Sequence, residues 1–313
     1  MRTRRLGRVG LEISELALGT WGLSGEAYGP VYAAEVDRVI DKAVELGITL
    51  FETADAYGKG EMEKKLGERL DARTSCVVTK LGIVRDGDAP RKRFDAETLR
   101  VAFERSRERL RREPMDVVLM HCPSRRAVEE GDGVAFLQGL VKSGALRAWG
   151  VSAGSVEVAR AALARRAEVL ELAYNPFVAR DLHALSDEAG SADVGVLARS
   201  VLAHGLLAGF WSRAKTFFDH DHRSKRWTKE ELEHRLEQLP ALRHLVGGGV
   251  PTLRAAALRF VLSNALVSAA VLGPRTNVQL VQLVHEAGDG PPYLDEALLA
   301  ELPERLAAVG LRA

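Results

Sequence analysis

LFETADAYGKGEMEKKLGERL, residues 50–70, decides the fold. It opens with LFETA (50–54), a short apolar run of strand type. It closes with EMEKKLGERL (61–70), a charged stretch with helical spacing. An apolar strand followed by a helix is the unit of a parallel sheet, because a parallel neighbour is reached only by crossing over the sheet face. Between the two lie Glu52, Asp55 and Tyr57. Acids at the end of a buried strand need a partner or a task.

The same unit recurs on both sides. Strand ELALG (15–19) leads to a helix over 33–46, where Val36, Val39, Ile40, Ala43 and Val44 share one face and Gly47 supplies the stop. Strand CVVTK (76–80) leads to helix 95–110, with Asp95 as its N-cap. DVVLMH (116–121) precedes helix 133–144, and LRAWGVS (146–152) precedes helix 155–164. VLELAYN (169–175) precedes a helical stretch near 180–189. VGVLARS (194–200) opens a long irregular insertion, then helix 251–264 leads to SAAVLG (268–273) and helix 277–287. Eight apolar strands, each followed by helix, predict a (β/α)8 TIM barrel over residues 1–313 as a single domain. The alternative is a doubly wound open sheet. No G-x-G-x-x-G follows the first strand, which counts against it. Residues 2–14 read as an N-terminal hairpin that plugs the barrel's bottom.

The bulk chemistry narrows the partners. With 313 residues the chain has the length of one α/β barrel, and 46% apolar with 28% charged residues is an ordinary globular balance. A net charge of +1 offers no basic field for nucleic acid. No apolar run approaches the roughly 20 residues that span a bilayer. The N-terminal MRTRRLGRVGLEIS lacks the apolar core of a signal peptide. Cys76 and Cys122, both in predicted buried strands, form neither C-x-x-C nor a metal pattern. The expectation is a cytoplasmic protein with a small-molecule substrate and no metal, nucleic-acid or membrane partner. Oligomeric state has no signature in the chain.

Barrel chemistry sits at the C-terminal ends of strands. There the chain carries Glu52, Asp55 and Tyr57, then Lys80, His121, Ser152, Glu171, Arg199 and Ser200, and Gly273 through Arg275. A tyrosine is a poor acid or base near neutral pH; an adjacent ammonium favours its phenolate, and a carboxylate keeps that ammonium charged. A histidine can donate to a carbonyl oxygen as charge develops on it. Together these groups suit reduction of a carbonyl by a hydride donor. Each also has a bland alternative: Tyr57 as packing, Lys80 as a solvated strand end, His121 as a satisfied core histidine, Glu52 as a structural ion pair. Four at consecutive strand ends favour the chemical alternative.

These residues carry a resemblance to the aldo-keto reductase superfamily. RRLGRVGLEISELALGTWGLSG resembles the family's hairpin and first strand, and LFETADAYGKGEMEKKLGERL its second unit. VVTKLG, DVVLMHCP, WGVSAGS, LAYNP, LAHGLLAGF and RAAALRFVLSNALVSAAVLGPRTNVQL follow in the family's order. The resemblance implies a nicotinamide dinucleotide bound by the barrel, Tyr57 as general acid, Lys80 as its modulator and His121 as the carbonyl donor. The lysine's acid is usually aspartate and here is Glu52; Asp55 is assigned to the loop. Gly19, Thr20 and Trp21 match the motif near the nicotinamide. Ser152 matches a carboxamide ligand. Its usual Asn neighbour is Ala153 and its usual Gln partner is Glu171. Arg199 stands for a stacking aromatic, and its planar guanidinium can also stack. Ser200, Leu202 and Gly205 match the pyrophosphate loop. Gly273, Arg275 and Gln279 match the adenosine-phosphate segment, and Arg275 favours NADP(H) over NAD. Leu283 replaces a common adenine-contacting Asn. Glu171 pairing with Arg199, and Arg275 as a plain helix-terminus residue, stay open as alternatives.

The insertion between Phe210 and Gly249 contains FFDHDHRSKRW, whose histidines and acids follow no metal spacing. It is expected to be a mobile cover beside the cofactor. Loops 24–32, 83–94 and 123–132 are the other candidates around the substrate, and no long tail follows the final helical stretch LDEALLAELPERLAAVG. The leading function is NADP(H)-dependent reduction of an aldehyde, ketone or keto-sugar. The alternatives are a cofactor-binding barrel with weak or regulatory activity, and a non-redox sugar-modifying enzyme.

Overall fold

The computed structural model describes residues 1–85 and 89–311. Strands β1 (Thr3–Arg5) and β2 (Glu12–Ser14) pair antiparallel as the N-terminal hairpin. The barrel begins with β3 (Leu16–Gly19), β4 (Leu50–Glu52) and β5 (Cys76–Leu81). A small antiparallel pair follows, β6 (Ile83–Val84) with β7 (Arg91–Lys92). The barrel resumes with β8 (Met115–His121), β9 (Leu146–Ser152), β10 (Val169–Ala173), β11 (Gly195–Arg199) and β12 (Val267–Leu272). β12 pairs back onto β3, so eight parallel strands close into a ring in chain order, with helices crossing outside: a (β/α)8 barrel.

Alternation along each strand sends every second residue inward. Ala17, Leu50, Val78, Val117, Leu119, Val169, Leu197 and Ala269 fill the interior, all fully buried. Leu6 and Ile13 of the hairpin close the bottom of that cluster. Each Val, Leu or Ile among them contributes about 1.5–3 kcal/mol on burial. The plug seats because Gly7 has no side chain: its φ is +45°, and a Cβ there would lie 2.3 Å from the Gly195 nitrogen. Outward residues pack under the helices; helix Ala33–Glu45 buries Val36, Val39, Ile40 and Ala43.

The elements depart from expectation mostly at the barrel mouth. β4 ends at Glu52 rather than residue 54, because the chain turns there into a 3-10 turn, Tyr57–Gly60. β10 ends at Ala173 rather than 175. The helical stretch near 180–189 is two short helices, Arg180–His183 and Ser186–Ser191. Asp95 caps helix Ala96–Leu110 by accepting from the Thr98 amide at 2.9 Å. Cys122 corrects its placement in a buried strand: β8 stops at His121, and Cys122 is half-buried on the rim with φ 52°. Cys76 is buried in β5. Among the described residues no helix is long and apolar enough to cross a membrane.

Candidate active site

The site is the top inward layer of the barrel. Continuing beyond the filled interior, the same alternation brings Gly19, Glu52, Lys80, His121, Ser152, Glu171, Arg199 and Gly273 to one cavity of about 390 Å³ at the C-terminal mouth. The alternation extends to Gly273 one residue past β12. Tyr57, Trp21 and Ser200 reach the cavity from the loops above.

Lys80 is its charged centre. Its ammonium pairs with Glu52 of the adjacent strand and lies 3.4 Å from Glu171 Oε1 on β10, across the barrel. All three are almost fully buried. Lys80 Nζ also lies 5.1 Å from the centre of the Tyr57 ring. The His121 imidazole meets that ring edge-on at 5.9 Å. Burial draws the Lys80 pKa down, and the Glu171 charge opposes it. Burial pushes the Tyr57 phenol well above its ordinary value, and Glu171 adds to the rise. Burial, then the Lys80 charge, depresses His121 to about 2, so its ring is neutral near pH 7.

Glu171 has both oxygens engaged. One faces Lys80, and the other accepts from Ser152 Oγ, its register partner on β9. Arg199 Nε stands 4.0 Å from Glu171 Oε2, a long ion pair, and is buried without a hydrogen-bond partner among the described residues. The Arg199 guanidinium donates to the Ala153 carbonyl at 3.2 Å. Asp55 lies on the loop, raised to about 7 by burial and the nearby Glu63 charge, with Oδ1 buried and without a hydrogen-bond partner among the described residues.

Other expected cofactor residues divide. Thr20, Leu202, Gly205, Arg275 and Gln279 are not on the cavity wall. Thr20 is fully buried and ties two strand ends together through Thr53 Oγ1 at 2.9 Å. Leu202 and Gly205 belong to a tight turn in which the Gly205 amide donates to the Leu202 carbonyl. Ser200, Ala203, His204 and Gly205 all have positive φ, a backbone form that gathers amides into anion-binding hollows. Arg275 reaches over Gly22 and donates to the carbonyls of Gly29 (2.9 Å) and Pro30 (3.0 Å). Its own amide donates to Gln279 Oε1. Leu283 is buried in helix Asn277–Ala287.

The rim supplies residues not singled out in the sequence. Tyr28, Ile83, Arg85, Cys122 and His204 line the cavity. Tyr28 comes from loop 24–32, and Ile83 and Arg85 from loop 83–94, whose residues 86–88 lie outside the described ones. Described residues of loop 123–132 do not line it; a helix, Arg125–Glu129, occupies that loop. Arg85 pairs with Glu26 at 3.0 Å, linking two rim loops. Part of the insertion lies against loop 24–32: Arg223, held by Asp221, sits over the rings of Tyr28 (4.7 Å), Trp211 (5.4 Å) and Phe217 (4.7 Å). The His222 amide donates to the Ala27 carbonyl. Among the described residues no group of three or more His, Cys, Asp or Glu could hold a metal ion.

A model of the aldo/keto reductase family matches residues 15–287. The solved structure of a glycerol dehydrogenase from Gluconobacter oxydans is 27% identical and superposes with a TM-score of 0.84 over 98% of this chain and 95% of its own. An aldo-keto reductase from Bacillus halodurans, 20% identical, shares the fold with a TM-score of 0.79 over 99% and 96% of the two chains. This chain belongs to the aldo/keto reductase family, whose members reduce carbonyl groups with a nicotinamide dinucleotide.

Proposed function

We propose that the protein reduces an aldehyde, ketone or keto-sugar to the alcohol with NADPH, and that Tyr57 is the general acid. The observation that carries this is the meeting of Tyr57, Lys80 and His121 in one cavity, with Lys80 5.1 Å and His121 5.9 Å from the Tyr57 ring centre. When bound, the reduced nicotinamide supplies the hydride. His121, neutral because buried, donates an N–H to the substrate carbonyl oxygen. Tyr57 gives its proton to that oxygen as negative charge gathers there. Lys80 stabilises the phenolate left behind, and Glu52 orients Lys80. Trp21, Tyr28 and Ile83 wall the cavity and exclude water.

The residues present suit the cofactor. Arg199 Nε is a buried donor without a partner, fit for a carboxamide oxygen, and Ser152 Oγ keeps lone pairs for the carboxamide NH₂. The turn at 200–205, left-handed at Ser200, Ala203, His204 and Gly205, suits a pyrophosphate. Arg275 and Gln279 stand at the N-terminal end of an eleven-residue helix, where an anion is favoured. A 2′-phosphate would give Arg275 charge-assisted bonds in place of those to two neutral carbonyls, which supports NADP(H).

The test is NADPH consumption with a panel of aldehydes, ketones and keto-sugars, alongside NADPH fluorescence for binding. Turnover lost in Tyr57→Phe, with binding kept, supports the reading. Tight NADPH binding without reduction of any carbonyl replaces it with a cofactor-binding, regulatory role.

A further inference from the structure

Lys80 faces two carboxylates rather than one. Glu52 approaches from the neighbouring strand, and Glu171 reaches it from β10, on the other side of β8 and β9. Ser152 anchors the second oxygen of Glu171, so the carboxylate is fixed in this pose. Nothing in the ion pair of Lys80 with Glu52 requires this second acid. Its placement therefore calls for its own account.

The charges around Tyr57 supply one. Lys80 faces it from β5, His121 and Cys122 from β8 and its end, Glu171 from β10 and Arg199 from β11. Tyr28 faces it from the loop after β3, Asp55 flanks it on its own loop, and Glu52 lies behind Lys80. His121 is neutral near pH 7, and Asp55 is close to half-protonated there. In the buried layer, Glu52 and Glu171 balance Lys80 and Arg199. Without Glu171 that layer carries one excess positive charge beside a phenol, and an excess positive charge favours the phenolate.

We infer that Glu171 is a positioning residue that keeps Tyr57 in its phenol form by balancing the charges of Lys80 and Arg199. This deepens the reading of Tyr57 as the group that exchanges the proton, and rests on it. In the reducing direction the phenol O–H breaks and its proton goes to the substrate oxygen as hydride from the reduced nicotinamide reaches the carbon. In the oxidising direction the phenolate takes the alcohol proton while hydride leaves the carbinol carbon for the oxidised nicotinamide. The second direction needs Tyr57 ionised, so Glu171 sets the pH at which alcohol oxidation switches on.

The first measurement needs no substrate. The near-ultraviolet phenolate signal of Tyr57 is read as the difference between a protein and its Tyr57→Phe counterpart along an alkaline titration. Glu171→Gln should move that titration down by about one pH unit or more, whereas Glu171→Asp, which keeps the charge, should stay nearer the wild type. The pH midpoint of alcohol oxidation should move in the same way. The double variant Glu171→Gln/Arg199→Gln keeps the net charge. It should leave the Tyr57 titration close to wild type, and it serves if the single variant does not fold. An unmoved titration in Glu171→Gln, or a double variant displaced as far as the single one is expected to be, overturns the inference. If the titration moves as expected while Tyr57→Phe still reduces carbonyls, the charge balance stands and the catalytic reading of Tyr57 falls.

Discussion

The carboxylate of Glu52 fills the space that a side chain on Gly19 would occupy. The two residues are register partners on β3 and β4, and a methyl group on Gly19 would lie 2.9 Å from Glu52 Oε2. It would also lie 2.8 Å from Val271 Cγ1 and 3.1 Å from the Leu272 carbonyl. The backbone of Gly19 is not left-handed, so space and not torsion is the constraint. Gly19→Ala should crowd Glu52, Val271 and the Leu272 carbonyl together, press Glu52 and Lys80 out of line with Tyr57, and lower carbonyl reduction about tenfold or more, since displacements near 1 Å in a catalytic site have such effects. Steady-state rates check this; an alanine variant with wild-type turnover would remove Glu52 placement from the account.

The longer acid itself is the second test. Glu52→Asp keeps the charge and draws the carboxylate back by about 1.5 Å, one carbon–carbon bond. Lys80 retains Glu171 on its other side, so Glu52→Asp should keep or raise reduction. Stability should follow the same logic. Removing one partner of a buried ion pair commonly costs about 3–5 kcal/mol, and Glu52→Gln should cost less because Glu171 remains. Glu52→Gln with Glu171→Gln should reach that range. Chemical denaturation measures both. Equal losses in the single and double variants would mean that Glu171 does not support Lys80, and total loss of reduction in Glu52→Asp would mean a site built on the longer acid for another purpose.

Much of this was legible in the chain because a parallel barrel writes itself into sequence. Strands buried on both faces read as unbroken apolar runs, and all eight stand where LFETA, CVVTK and their counterparts stand. The polar residues at their ends are the next inward step after Leu50, Val78, Leu119 and Val169, so counting by twos leads to Glu52, Lys80, His121 and Glu171. What was not legible depends on closure. Glu171 reaches Lys80 only because the ring brings residues 91 positions apart to face each other. Arg223 finds Tyr28 through loop packing that no local pattern encodes. Cys122 escaped for a local reason: the strand stops one residue earlier, at His121, and the chain turns left-handed there.

Acid should destabilise the protein, against two opposing carboxyls, Asp55 and Asp116, which burial raises above their ordinary value. His121 and His204 are held near 2 and 3 by burial, so between about pH 6.5 and 4 the unfolded chain takes up two protons that the folded chain refuses. Stability from these two groups is full above about 6.5 and is lost as pH falls. Asp55 has the opposite sign. Its folded pKa of about 7 lies above its ordinary 3.8, so the folded chain holds a proton there that the unfolded chain lacks. Its contribution is present below the ordinary value and lost as pH rises toward 7. Each group changes the slope by up to about 1.4 kcal/mol per pH unit. His222, lowered to about 4 by burial, adds to His121 and His204, so the histidines outweigh the two carboxyls and the Tm should fall from pH 6.5 to 4. Asp55→Asn removes one opposing group, so the fall should steepen while stability above pH 7 rises. Thermal melts across this range decide it; a shallower acid fall in the variant contradicts the sign given to Asp55.

The proposed preference for NADP(H) rests on Arg275. Its guanidinium holds the carbonyls of Gly29 and Pro30, and its amide is tied to Gln279 at the start of helix Asn277–Ala287. Replacing it removes two bonds to neutral groups, a loss shared by any cofactor that needs loop 24–32 in place. It also removes a cation available to a 2′-phosphate, and that loss falls on NADPH alone. Hydrogen bonds to charged groups contribute about 1.5–3 kcal/mol, so Arg275→Gln should weaken NADPH about tenfold or more and NADH by about twofold at most. Fluorescence titration of both cofactors against wild type and variant separates the two effects. Equal weakening of NADPH and NADH would mean that Arg275 acts only by holding the loop and does not support a preference for NADP(H).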